Sequence, residues 1–157
     1  MPEAILMVNP ATVDLESEPI PSDWILGGNP VARSKKLSTS DDLSSAIVVW
    51  DCTPGDFHWQ YSKDETIYVL TGEAFMTNDV GEERRFAAGD LGFFPAGYAC
   101  NWRITEPFRK VAVIRETLWT PLGYGLKALN KLLRMTDPGS KSPLLFLLAG
   151  FLAAQWR

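Results

Sequence analysis

Between Ala46 and Arg115 the chain alternates short runs of β-branched and aromatic residues with clusters of turn formers. The runs are Ala46 to Trp50, Phe57 to Tyr61, Thr66 to Leu70, Ala74 to Thr77, Leu91 to Phe94, Cys100 to Ile104 and Lys110 to Arg115. Thr53-Pro54-Gly55, Gly89-Asp90 and Pro95-Ala96-Gly97 punctuate them. Such runs, bounded by Gly and Pro and recurring about every 8 to 12 residues, predict the strands of a sandwich or barrel. Glu82-Glu83-Arg84-Arg85 reads as a solvated hairpin tip.

The flanks differ. Residues 1–45 are rich in Pro, Ser and Asp without a sustained apolar period, which predicts an extended arm with short strands lying along the barrel. After Thr120-Pro121, a helix cap and a first-turn proline, Leu122, Leu126, Leu129 and Leu133 share one face of an amphipathic helix. Asp137-Pro138-Gly139 ends it, and Ser142-Pro143 opens a second helix that is apolar nearly all round. As a helix its apolar run, Leu144 to Ala154, would reach roughly 16 Å against a hydrocarbon core of about 30 Å, so no membrane span is expected. The expected organisation is an arm (1–45), a barrel core (46–118) and a C-terminal helical hairpin (119–157). Arm and apolar helix both need a surface to cover them, which predicts a homodimer.

Composition narrows the partners. With 15 basic and 19 acidic residues the net charge is −4, and no basic stripe is present to neutralise phosphates, so nucleic acid is not expected. The N-terminus carries Glu3, Asp14, Glu16 and Glu18 with no early Lys or Arg, unlike a secretory leader. Cys52 and Cys100 are the only cysteines, too few for a disulfide framework. A reducing cytoplasm is the expected setting.

The segment Trp50-Asp51-Cys52-Thr53-Pro54-Gly55, followed by Trp59, Tyr61, Asp64-Glu65, Gly72-Glu73, Gly89-Asp90, Pro95-Ala96-Gly97, Trp102 and Arg109-Lys110, resembles the ureidoglycine aminohydrolase-like cupins over roughly residues 24–115. The resemblance implies an all-β cupin fold, a double-stranded β-helix or jelly-roll barrel, here with an N-terminal arm and two short C-terminal helices. It also implies two motifs. Glu65 and Gly72 keep the spacing of the first, while Gly89, Pro95 and Gly97 keep that of the second. The metal-binding members place two histidines ahead of the motif glutamate and a third beyond the second motif. Here Trp59, Tyr61 and Cys100 stand at those positions, so three of the four ligands that the resemblance implies are replaced. Gly55 and Ile104 also depart from the pattern.

His58 is the one histidine in the chain, which rules out a multi-histidine metal site within a subunit. Strand alternation turns it outward if Trp59 and Tyr61 face the interior. The expectation is therefore no metal and no cofactor, although Tyr61, Glu65 and Cys100 could still ligate zinc or ferric iron. In place of a metal centre, Trp59, Tyr61, Glu65, Cys100 and Trp102 form an expected ligand-binding box. Its rings and carboxylate would suit a small polar or cationic metabolite. The same aromatics could equally just fill a narrow barrel. Glu65 and Tyr61 are the candidate acid and base if the protein is an enzyme. Beside rings the Glu65 pKa would tend to rise, or its carboxylate could simply accept structural hydrogen bonds. Cys100 reads more simply as a buried, inert thiol. Arg109 and Lys110 could send one cation outward and one toward the barrel.

Three functions remain at this stage. They are a small-molecule-binding module, an enzyme (hydrolase, isomerase or lyase) acting on a small nitrogen-containing metabolite as the resemblance implies, and a structural or regulatory partner acting through the C-terminal helices.

Overall fold

A computed structural model describes residues 5–116 and 120–135, in two separately compact units divided between Thr117 and Leu118. The second helix expected from Ser142-Pro143 onward lies outside the described residues.

The first unit is all-β. Its strands are β1 (Glu16–Ser17), β2 (Ile25–Gly28), β3 (Ala32–Thr39), β4 (Ser45–Cys52), β5 (Gly55–Gln60), β6 (Asp64–Thr77), β7 (Glu83–Ala87), β8 (Leu91–Phe94) and β9 (Ala99–Arg115). All pairings are antiparallel, and β9 is the hub. One side of β9 pairs with β4 and β5, and the other with β6 along nearly its whole length. β6 pairs in turn with β7 and β8, and the sheet curls around a core that includes Phe57, Ile67, Val69, Phe94, Trp102 and Phe108.

Residues 1–45 do more than lie along the barrel. β3 is a full sheet strand between β1 and β4, and β2 pairs with β5. Near the start of the chain, Arg109 turns outward and donates to the carbonyls of Pro10 and Val13 while pairing with Asp51, so one guanidinium holds the arm. The charged run at 82–85 also differs from expectation. The turn is Asn78 to Glu82, held by the Asn78 side chain, and Glu83 to Arg85 lie in β7 with their side chains exposed.

Two expected pairs of short strands are continuous elements. In β6 the inward residues are Glu65, Ile67 and Val69 before Gly72, but Ala74 and Met76 after it. The register shifts between Val69 and Ala74 explain the change, because one extra residue moves every later side chain to the other face. Gly72 is required at that kink. Its φ is +83°, and a Cβ there would lie 2.2 Å from the Pro107 carbonyl oxygen. The same parity puts Tyr68 outward, half exposed.

The β3–β4 turn is closed by Asp42. Its carboxylate accepts bonds from the Ser40 hydroxyl, the Ser44 amide and the Ser44 hydroxyl at 2.6, 3.0 and 2.8 Å. These donors favour the charged form and lower its pKa to about 2.

The second unit contains α1 (Thr120–Met135), with Pro121 in its first turn as the sequence predicts. No helix among the described residues is long and apolar enough to cross a membrane.

Candidate ligand site at the barrel mouth

In β9 the inward side chains fall on even numbers, from Cys100 through Trp102, Ile104 and Phe108 to Lys110 and Ala112. Alternation therefore drives a lysine into the interior, where an unpaired ammonium would be costly. β6 supplies the compensation. Lys110 Nζ donates to Glu65 Oε1 at 2.6 Å, with the two side chains only 6% and 12% exposed. The ammonium also lies 5.0 Å from the centre of the Trp50 ring and 5.4 Å from that of Trp102, within cation–π range of both.

This ion pair opens onto a cavity of about 220 Å³. Trp50 and Val48 of β4, Trp59 of β5, Ala112 and Ile114 of β9, Ser34 and Lys36 of β3, and Glu18 complete its lining. A second hollow of about 260 Å³ shares Lys36 and Ile114 with it and continues past Leu43, Ser44 and Lys63. Each alone is somewhat below the usual range of small-molecule sites, which begins at roughly 300 Å³, and so suits only a small metabolite. The indole Nε1 of Trp50 is buried with no hydrogen-bond partner among the described residues, an unusual state for a buried donor. A ligand bearing an acceptor oxygen would find the Lys110 side chain in this lining.

The residues expected to form one box divide into two groups. Trp59 stands on the cavity wall, edge-on to Trp24, Trp50 and Phe57 at 5.5, 6.1 and 6.0 Å, and Glu65 is in the same lining. Tyr61, Cys100 and Trp102 are in the packed core, and none of them lines this cavity. Trp102 Nε1 donates to the Tyr61 hydroxyl at 3.2 Å, and Tyr61 stacks on Phe94 with centroids 4.5 Å apart. Burial, followed by the nearby Glu65 charge, pushes the Tyr61 hydroxyl well above the usual phenol range, so it stays protonated. Cys100 packs against Met76, and burial pushes its thiol up to about 11.

His58 bonds Asn101 on the neighbouring strand at 3.0 Å and packs edge-on to Trp24. Among the described residues no three His, Cys, Asp or Glu side chains cluster in a way that could hold a metal ion. The residues that sequence reasoning left without a role are Lys110, Trp50 and Lys36. Counting alternation onward from Trp102 would have found the first, since Lys110 has the same parity.

A curled antiparallel sheet wrapped around its own core, with the two glycine-marked turns, is the all-β cupin fold. Within it, residues 39–112 match the family model of the EutQ-like cupin domain. The EutQ protein of Clostridium difficile superposes with a TM-score of 0.57 at 23% identity, covering 72% of this chain and 88% of that one. A protein of unknown function from Pseudomonas syringae gives 0.62 at 22% identity over 68% of this chain. The chain spans 46% of that protein's length. A protein described as a predicted oxalate decarboxylase from Thermotoga maritima gives 0.56 at 17% identity, covering 71% and 100% of the two chains. At these identities the likeness is one of fold. No curated protein matches the chain.

Proposed function

We propose that this cupin binds a small polar metabolite in the mouth cavity, between Trp50 and Trp59 and over the Lys110–Glu65 pair. The observation that carries the reading is the buried ion pair opening onto that cavity. Lys110 itself fills the acidic and aromatic seat that a cationic ligand would take. The reading therefore favours a ligand with an acceptor group, a carbonyl or carboxylate, over a purely cationic one. Trp102 backs the pair from within the core, its ring 5.4 Å from Lys110 Nζ.

The test is a thermal-shift screen of small carboxylates, amides and amines, followed by titration of any hit against Trp59→Ala. Trp59 is only half-buried, so its loss should abolish binding while the circular dichroism spectrum stays native. Unchanged affinity in the variant would sink the proposal.

A second reading, an enzyme acting on a nitrogen-containing metabolite in the manner the ureidoglycine aminohydrolase resemblance implies, is favoured by the 2.6 Å contact of Glu65 with Lys110. A carboxylate and an amine at that distance can pass a proton between them. Retention of any detected turnover in Glu65→Gln would remove Glu65 from such a mechanism.

The homodimer reading rests on the outer face of the sheet. Pairing places Ile47, Val113, Thr66 and Phe93 in one row across four strands and Val49, Val111, Tyr68 and Leu91 in the next. Ile47, Phe93, Val113, Tyr68 and Leu91 are exposed while Val49 is buried, and the exposed set is the kind of patch that marks a contact surface. Light scattering of Phe93→Glu against the parent chain tests it, a monomeric parent being the adverse result.

A further inference from the structure

We propose that Lys110 is a covalent capture site, its amine condensing with a small aldehyde or ketone in the cavity to form an imine. The proposal rests on the cavity reading above and assigns the site a reaction.

Three features converge on it. The amine belongs to the one charged residue among the buried side chains described, and that residue lines a cavity open to solvent, which gives a small molecule a route to it. Glu65 lies within 2.6 Å to take and return a proton. The Trp50 and Trp102 rings at 5.0 and 5.4 Å favour a cation at Nζ, and a protonated imine is a cation at that same atom.

The step balances with these groups alone. Lys110 passes one proton to Glu65, leaving a neutral amine and a carboxylic acid. The nitrogen lone pair attacks the carbonyl carbon, the C–N bond forms, and the ammonium proton moves to the former carbonyl oxygen to give a carbinolamine. Glu65 then returns its proton to the hydroxyl as the C–O bond breaks, and water leaves through the cavity mouth. What remains is a protonated imine on Nζ beside the Glu65 carboxylate, with one water released per carbonyl consumed and no change of oxidation state.

The experiment traps this species in the full chain. Propanal, and separately pyruvate, are incubated at low molar excess with sodium cyanoborohydride, which reduces the imine to a stable secondary amine, and the modified lysines are located by peptide mass spectrometry. Lys110 is expected to take the label ahead of the exposed Lys63, Lys127 and Lys131. Glu65→Gln, which keeps an acceptor oxygen for Lys110, should slow that labelling on the order of 100-fold while leaving the other lysines unchanged. Label on the exposed lysines with Lys110 untouched would overturn the proposal. So would labelling of Lys110 at the exposed-lysine rate, because the cavity would then supply access and no chemistry. If the metabolite screen finds a ligand that needs Trp59 while Lys110 stays unlabelled, the covalent step falls and the binding reading stands.

Discussion

Replacing Lys110 with methionine tests how the barrel tolerates a charge in its interior. At 2.6 Å, and with an effective dielectric of about 20, the attraction between Lys110 and Glu65 is on the order of 6 kcal/mol before the cost of removing both groups from water. That desolvation cost offsets much of the attraction, so the pair as a unit adds little net stability. Removing one member is a different matter. Methionine fills most of the lysine volume but leaves the Glu65 carboxylate 12% exposed beside Trp50 with no counter-charge, and breaking such a pair costs about 3–5 kcal/mol. Against a typical domain stability of about 5–15 kcal/mol this is a large fraction, and the midpoint should fall by on the order of 10–20 °C. Glu65→Leu alone should be comparably damaging. The double variant, which removes both charges, should return to within about 1 kcal/mol of the parent or exceed it. Urea melts followed by tryptophan fluorescence, with the slopes compared to confirm a common unfolded state, complete the double-mutant cycle. If Lys110→Met costs less than about 1 kcal/mol, or the double variant is as unstable as either single one, the argument from a coupled interior pair is wrong.

Other consequences are more local. Gly72→Ala should cost about 3 kcal/mol or more, because it forces a positive φ on alanine and drives a methyl into the Pro107 carbonyl; a denaturant melt with an unshifted midpoint would contradict this. Burial pushes Cys52 to about 12 and Cys100 to about 11. At pH 8 the thiolate of Cys100 is thus roughly one part in a thousand, and a chromogenic thiol reagent should label neither cysteine until the protein is unfolded. The Asp42 carboxyl is depressed from 3.8 to about 2 by its serine donors, so its contribution to the turn is complete above about pH 4 and is lost as the pH falls through 2. A fall in the protection of the Ser44 amide, measured against its intrinsic exchange rate at each pH, on acidification, matched at neutral pH by Asp42→Ala, is the expected signature.

The barrel was legible in the sequence because two-residue alternation and turn chemistry act locally. β8 begins at Leu91 and ends at Phe94 as its pattern predicts, and Trp59 and Tyr61 share the inward face of their strand and its continuation, with His58 opposite. The continuity of β6 and β9 was not legible. Gly72 and Pro107 look like breaks in a linear reading, whereas in three dimensions they face each other and bend two long strands together. β7 was hidden because its outward charges outnumber its apolar residues. The site was half legible. Trp59 and Glu65 were expected in a ligand-binding box and both line the cavity, whereas Tyr61, Cys100 and Trp102 do not; depth along the barrel decides between wall and core, and alternation carries no information about depth. Lys110 went without a role because its partner lies on another strand, 45 positions away in the chain.

The central position of β9 has a consequence for how the molecule is made. β4, β5 and β6 all leave a ribosome before the strand that joins them, and they can close over a core only once the chain has been synthesised through Arg115. Until then the growing polypeptide holds the local β3–β4 and β6–β7 hairpins with unpaired flanks, the condition in which nascent β-proteins depend most on chaperones. Contacts of such long sequence separation also make closure slow. A chain cut within β9 therefore loses the whole barrel, whereas a chain cut after Arg115 keeps every strand pairing the barrel contains among the described residues.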